Sequence, residues 1–189
     1  MDYESQVILW IEEDKARHQA LKIAASLNLN DWCLAAGFVR NLIWDKLHGF
    51  ESPTPLNDVD FIYFDPNNVS DTFDKEHEAA LTDSSEYPWS VKNQARMHIR
   101  NNDLPYMSTS DAMSYWVEIE TAIGARIEPS GEITLVAPFG LNCLFDFTVT
   151  INSKRIKQAD FQHRVNSKGW LKTWPKLAVN NNGVPGVKI

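Results

Sequence analysis

Cysteine is scarce in this chain: Cys33 and Cys143 are the only two among 189 residues. Each sits in an apolar stretch. That reads as two buried free thiols in a cytosolic protein and argues against a disulfide framework. No Cys/His grouping has the spacing of a zinc site. Long apolar runs are missing too, so no segment is expected to span a bilayer. The opening stretch MDYESQVILWIEEDKARHQ carries acids on both sides of a short apolar patch, unlike a secretory leader. The expected location is therefore cytoplasmic, with no membrane partner. Positive charge is in deficit, with 18 Lys and Arg against 25 Asp and Glu and a net charge of −7. An extended nucleic-acid surface needs many Lys/Arg–phosphate contacts and is not expected. Basic residues gather only late, in KRIKQADFQHRVNSKGWLKTWPK, a pattern that reads as a solvated helix face. Internal repeats and dividing linkers are also absent. One domain over residues 1–178 is expected, with 179–189 a flexible tail.

What is present is alternation. Residues 5–27 read as one amphipathic helix, with Val7, Ile11, His18, Leu21 and Ala25 near helical spacing. WCLAA is a short apolar strand. Gly37 then leads into FVRNLIWDKLHG, a helix that Gly49 terminates. After the loop FESPTPLN, DVDFIYFD reads as a second strand, and residues 67–85 as a loop entering a polar helix. WSVKNQARMHI alternates as a third strand. Trp89, Val91, Asn93, Ala95 and Met97 share one face, and Ser90, Lys92, Gln94, Arg96 and His98 the other. STSDAMSYWVEIETAIG has the N-cap residues and pattern of a helix. GEITLVAP is a fourth strand. FGLNCLFDFTVTIN is a helical turn followed by a strand, and the last helix breaks near Gly169. This order predicts an α+β (mixed α/β) architecture, one mixed sheet with flanking helices.

Two features carry chemistry. AAGFVRN joins a strand to a helix through Gly37, whose lack of a side chain allows close approach of a ligand. The free N–H groups at that helix start suit a phosphate, and Arg40 in the first turn offers a forked, charge-assisted contact. Asp58 and Asp60 then stand two positions apart and so share one face of a strand. Two carboxylates beside a phosphate-binding turn form a hard oxygen site, and Mg²⁺ is commonly held by one or two carboxylates together with substrate phosphates. The plainer readings are a tight turn and a capped loop end. Their combination within so short a stretch favours function.

These residues resemble a known family. AGFVRNLIWDKLHGFESPTPLNDVDFIYFD is similar to the nucleotidyltransferase domain of the polymerase-beta type. The likeness is to the G-G-x-V-R-D … D-x-D arrangement of tRNA nucleotidyltransferases and bacterial poly(A) polymerases. Ala36, Gly37, Val39, Arg40 and Asn41 fall on the first motif, with Ala and Asn replacing its first Gly and its Asp. Asp58 and Asp60 fall on the second. The whole chain resembles a small stand-alone bacterial family of such proteins with no assigned substrate. The resemblance implies a mixed sheet, with Gly37, Phe38 and Arg40 approaching the triphosphate of an NTP. It also implies Asp58 and Asp60 as catalytic ligands of Mg²⁺ (or Mn²⁺), and transfer of a nucleoside monophosphate to an acceptor that is a small molecule, a protein or a short RNA end.

The chain departs from that pattern in two ways. Such enzymes take a third carboxylate from a following strand, and Ser90 occupies the expected slot here. Glu86 and Asp146 are the candidate substitutes. The long helical region that holds tRNA in the large enzymes is also missing. A catalytically weak or inactive nucleotide-binding regulatory module is therefore the alternative function, and a plain structural domain a third. Lys92 is a candidate to assist at the phosphates, weighed against an edge-strand role. Trp170 and Trp174 read as packing anchors ahead of base-stacking platforms. His18, His98 and His163 read as structural or exposed.

Overall fold

The computed structural model describes residues 2–183. The N-terminal amphipathic pattern forms two helices where one was expected, α1 (Tyr3–Glu13) and α2 (Lys15–Ala25). Asp14 is the reason. It closes α1 and caps α2, accepting a hydrogen bond from the Arg17 backbone N–H at 3.0 Å. A short polar side chain that competes for backbone donors favours a cap over a helix interior.

The central sheet has the order β3-β2-β1-β4-β5. Its strands are β1 (Trp32–Ala35), β2 (Val59–Tyr63), β3 (Trp89–Asn93), β4 (Gly124–Ile127) and β5 (Ile133–Val136). β2 and β3 run parallel and the other neighbours antiparallel, which makes the sheet mixed. Between β1 and β2 lies α3 (Gly37–His48), ended by Gly49 in the left-handed conformation. Between β2 and β3 the parallel crossover is α4 (Asp71–Ser84). Residues of β1–β3 that face one side, among them Leu34, Phe61 and Val91, join Val7, Leu21, Val39 and Leu81 from α1–α4 in the main core. On the opposite face a smaller cluster, Cys33, Ala35, Ile62, Met113 and Ala122, lies under Trp116 and Phe139.

The third strand is shorter than its alternation suggests. It stops at Asn93, whose side-chain oxygen accepts from the N–H groups of Asp65 (3.1 Å) and Ala95 (3.0 Å) and turns the chain. Gln94–Arg96 form a 3₁₀ turn and Met97–Asn101 the helix α5. Gln94, Arg96 and His98 therefore do not share a strand face with Ser90 and Lys92. The helix expected over STSDAMSYWVEIETAIG is a single turn, α6 (Thr109–Met113). Its second half is a 3₁₀ turn (Ile119–Thr121) followed by β4, a strand the pattern did not indicate. Gly124 is required in β4, because a Cβ there would lie 2.5 Å from the Cys33 sulfur. Gly in a strand interior commonly marks such close approach.

The C-terminal segment forms a second layer. It comprises α7 (Asn142–Phe145), β6 (Thr148–Thr150), α8 (Gln158–Ser167), α9 (Trp170–Thr173) and β7 (Ala178–Asn180). β6 and β7 pair in parallel, so pairing carries into the stretch expected as tail. Residues 184–189 of that expected tail lie outside the described residues. Trp170 and Trp174 are buried and meet Trp44 of α3 edge-on, at 6.2 and 5.1 Å between ring centroids. They anchor the layer to the sheet domain, the packing role.

Candidate active site

Register assembles the site. Ala35, the last residue of β1, pairs with Asp60, and Asp60 pairs with Ser90 on β3. The turn that leaves β1 through Ala36 and Gly37 therefore starts beside the acid pair. That turn is tight: Ala36 has φ 57° and ψ −120°, a conformation suited to glycine, and its carbonyl accepts from the Arg40 N–H at 3.0 Å. α3 begins at Gly37 with no side-chain cap, which leaves its first N–H groups available. Phe38 is wholly buried, so it offers the site backbone only.

Asp58 is exposed just ahead of β2, and Asp60 is partly buried within it. Among the described residues neither carboxylate accepts a hydrogen bond or joins an ion pair. Burial pushes the Asp60 carboxyl up to about 6, the neighbouring Asp58 charge adds to this, and Arg40, Lys168 and Arg164 oppose it. The Asp58 charge thus adds to burial in disfavouring an ionised Asp60 at the mouth of the strand.

Arg40 is 6% exposed and points inward. Its guanidinium donates to Thr121 Oγ1 (2.8 Å) and Asn41 Oδ1 (2.9 Å) and lies in the corner formed by the edge-on rings of Trp44 (5.0 Å) and Trp170 (4.9 Å). Burial lowers its affinity for a proton to about 10, against the pull of Glu118 and Asp60. This is a wall behind Asp60, well tied to the protein. Lys92 is one pleat further along β3, paired with Ile62. Its ammonium donates to the Val91 carbonyl (2.8 Å) and lies 4.0 Å from Glu78 of α4. The structure thus brings Gly37, Phe38, Arg40, Asp58 and Asp60 to one sheet end and sets Lys92 toward α4.

Ser90, the residue in the slot expected for a third acid, stands directly opposite Asp60. Glu86 is exposed ahead of β3, and Asp146 is exposed at the end of α7. Among the described residues no three His, Cys, Asp or Glu side chains gather in a way that could hold a metal. Two carboxylates remain, a donor set of hard oxygens that fits a divalent cation completed by ligand phosphates.

Sequence reasoning missed the contribution of α8. Arg164 donates to Glu118 from Nε (2.7 Å) and Nη2 (3.1 Å) and lies 5.5 Å over the Trp170 ring. Glu118 is 1% exposed and also accepts from Thr121 Oγ1, so it links Arg164 to Arg40. Nearby Glu120, pushed up to about 7 by burial, accepts from the Thr150 N–H and Thr148 Oγ1 and ties this turn to β6. The one available signal was the run of basic residues around Trp170, which pattern alone assigned to a solvated helix face while Trp170 itself read as a packing anchor.

The matching family model, a nucleotidyltransferase, covers residues 22–179. Among solved structures the chain is similar to a protein whose NMR structure reveals a CCA-adding enzyme head domain. The two are 30% identical with a TM-score of 0.83, over 94% of this chain and 96% of that one. A CCA-adding enzyme in complex with CTP matches at 10% identity and TM-score 0.61, over 94% of this chain but 43% of its own. A tRNA-processing enzyme complex matches at 17% and 0.54, over 86% and 43%. The last two likenesses show the fold alone, and the chain spans less than half of either protein. No curated protein matches. Among the described residues no helix is long and apolar enough to cross a membrane. Taken with the mixed sheet, the turn and the acid pair, the family match over most of the chain places this protein in a nucleotidyltransferase family.

Proposed function

We propose that the protein transfers a nucleoside monophosphate from an NTP to an acceptor, with Asp58 and Asp60 holding Mg²⁺ (or Mn²⁺). An acceptor hydroxyl oxygen bonds the α-phosphorus and its proton passes to water, while the bond to the oxygen bridging the β-phosphate breaks and pyrophosphate leaves. A bound divalent ion would supply charge neutralisation at the phosphates. The first N–H groups of α3, at Gly37 and Phe38, are left without a side-chain cap and would suit an anion held beside the acids. Arg40, buried against two tryptophans and bonded to Thr121 and Asn41, keeps a fixed positive charge near Asp60 and so favours its ionised, ligating form. Positioning and charge neutralisation would provide most of the rate. The likeness to a CTP-bound CCA-adding enzyme supports an NTP as donor.

The observation that carries this reading is the register Ala35–Asp60–Ser90, which sets the glycine turn against the acid pair. The experiment is Mg²⁺-dependent NTP binding by calorimetry, repeated with Asp58→Asn plus Asp60→Asn. Binding that needs the metal and disappears in the double variant is expected. Equal binding by the variant would refute the reading.

Ser90 opposite Asp60 favours a second reading, a nucleotide-binding regulatory module on the same fold. Pyrophosphate release across the four NTPs with small-molecule, protein and RNA acceptors separates the two, because a binder releases none above background.

A further inference from the structure

The late basic run begins with Lys154, Arg155 and Lys157, and nucleotidyl transfer as proposed above engages none of them. Lys154 turns to Tyr115, 4.0 Å over its ring, and donates to Ser114 Oγ at 2.6 Å. Arg155 and Lys157 take another course. With Arg100 and Asn101 from the end of α5 and the first turn of α8, they line a cavity of about 320 Å³.

Two of these cations are fixed from behind. Tyr106 donates to Asp103 Oδ2 (2.5 Å) and accepts from Asn101 Nδ2 (3.2 Å), which makes one network of the three. Arg155 is fastened to it twice, donating from Nε to Asp103 Oδ1 and from Nη2 to the Asn101 carbonyl. Lys157 donates to Asn101 Oδ1 at 3.0 Å, a neutral acceptor that leaves the ammonium charge uncompensated. Arg100 is exposed and makes no hydrogen bond or ion pair with any described residue. Asp103 offsets Arg155, and the wall itself sets three cations against one acid, Asp160. General basicity does not explain this gathering, because the chain as a whole carries −7. On the same wall the backbone N–H groups of Gln158 and Ala159 begin α8 without a side-chain cap. Guanidinium, ammonium and free N–H donors around one hollow match phosphate, which presents enough oxygens to meet them all.

We propose that this cavity is a phosphate-binding site separate from the acid pair, filled by a backbone phosphate of an RNA acceptor or by a free phosphate. Amide NMR spectra of the ¹⁵N-labelled protein are recorded in chelator. Inorganic phosphate is added to one sample and a short single-stranded RNA without terminal phosphate to another. With no divalent ion present, the Gln158 and Ala159 signals report the cavity independently of the acid pair. Both signals are expected to move and saturate. Arg100→Met plus Lys157→Met should weaken the affinity about tenfold or more, the loss typical of charge-assisted contacts. Asp58→Asn plus Asp60→Asn should leave it unchanged, as should the surface control Lys75→Met. RNA acting at a lower concentration than phosphate identifies a nucleic-acid backbone as the source; phosphate acting at the lower concentration identifies a free anion. Signals that stay in place with both probes overturn the inference, and so does a response that survives in the Arg100/Lys157 double variant. Should that variant not fold, Arg100→Met alone, at an exposed side chain without a protein partner, must still weaken the response. Failure here leaves nucleotidyl transfer untouched, since neither the acids nor a metal takes part in the measurement.

Discussion

Asp60 should make the metal-free protein less stable than it would be without a charge there, and the size of the effect can be worked out. Its carboxyl lies at about 6 in the folded chain and at 3.8 in the reference state. Each tenfold difference in proton affinity is 1.36 kcal/mol, so the gap corresponds to about 3 kcal/mol. Partial exposure screens the charge and reduces this to roughly 1–3 kcal/mol. The sign follows from linkage. Below 3.8 the acid is protonated in both states and costs nothing. As pH rises toward 6, the unfolded chain releases its proton first and folding is penalised progressively. Above 6 the penalty is complete.

Asp60→Asn resembles the protonated acid in shape and never ionises. Its stability relative to the parent should therefore be near zero at pH 3 and rise to roughly 1–3 kcal/mol in the variant's favour by pH 7.5. Urea unfolding of both proteins across that range, in chelator, measures the difference directly. Adding Mg²⁺ at pH 7.5 should then stabilise the parent and leave the variant unmoved. A variant that is less stable than the parent at pH 7.5, or a difference that does not change with pH, would refute the electrostatic account of the site.

Three further outcomes follow from particular contacts. Ala36→Gly should stabilise the protein by about 1 kcal/mol, because the relief of a strained backbone, roughly 1–3 kcal/mol, exceeds the added freedom of the unfolded chain; a lower urea midpoint would count against strain at the turn. Ser90→Asp places an acid opposite Asp60 and should raise pyrophosphate release about 10²-fold if the reaction lacks only that group; no gain would indicate that acceptor chemistry is limited elsewhere. Glu118→Gln removes the buried partner of Arg164 and should cost about 3 kcal/mol in urea unfolding; a loss below 1 kcal/mol would show that solvent screens Arg164 already.

Much of the site was legible because it is local. The glycine turn, the two acids and the strand between them lie within thirty residues, and alternation of side chains places Asp58 and Asp60 on one face whatever the tertiary fold. The position of Ser90 beside Asp60 was also readable, since strand order fixes its neighbour. Other features depended on competition that pattern cannot weigh. Asn93 ends β3 by bonding two backbone N–H groups, one of them from Asp65 on another segment. β4 follows a 3₁₀ turn that reads as more helix, because ETAIG has no strand alternation of its own. The inward turn of Arg40 required Trp170, about 130 positions away, to be folded over it. Lys92 looked free until Glu78 of the crossover helix came alongside.

The layer built from β6, α8, α9 and β7 has a consequence for biosynthesis. The acids and the glycine bend leave the ribosome early, whereas Arg164 and Trp170 emerge more than a hundred residues later. A nascent chain halted before Gln158 would present its paired carboxylates with Arg40 uncovered on one flank. Trp170 thus covers Arg40 only after most of the sheet has been made, so the flank behind the acid pair closes late in synthesis.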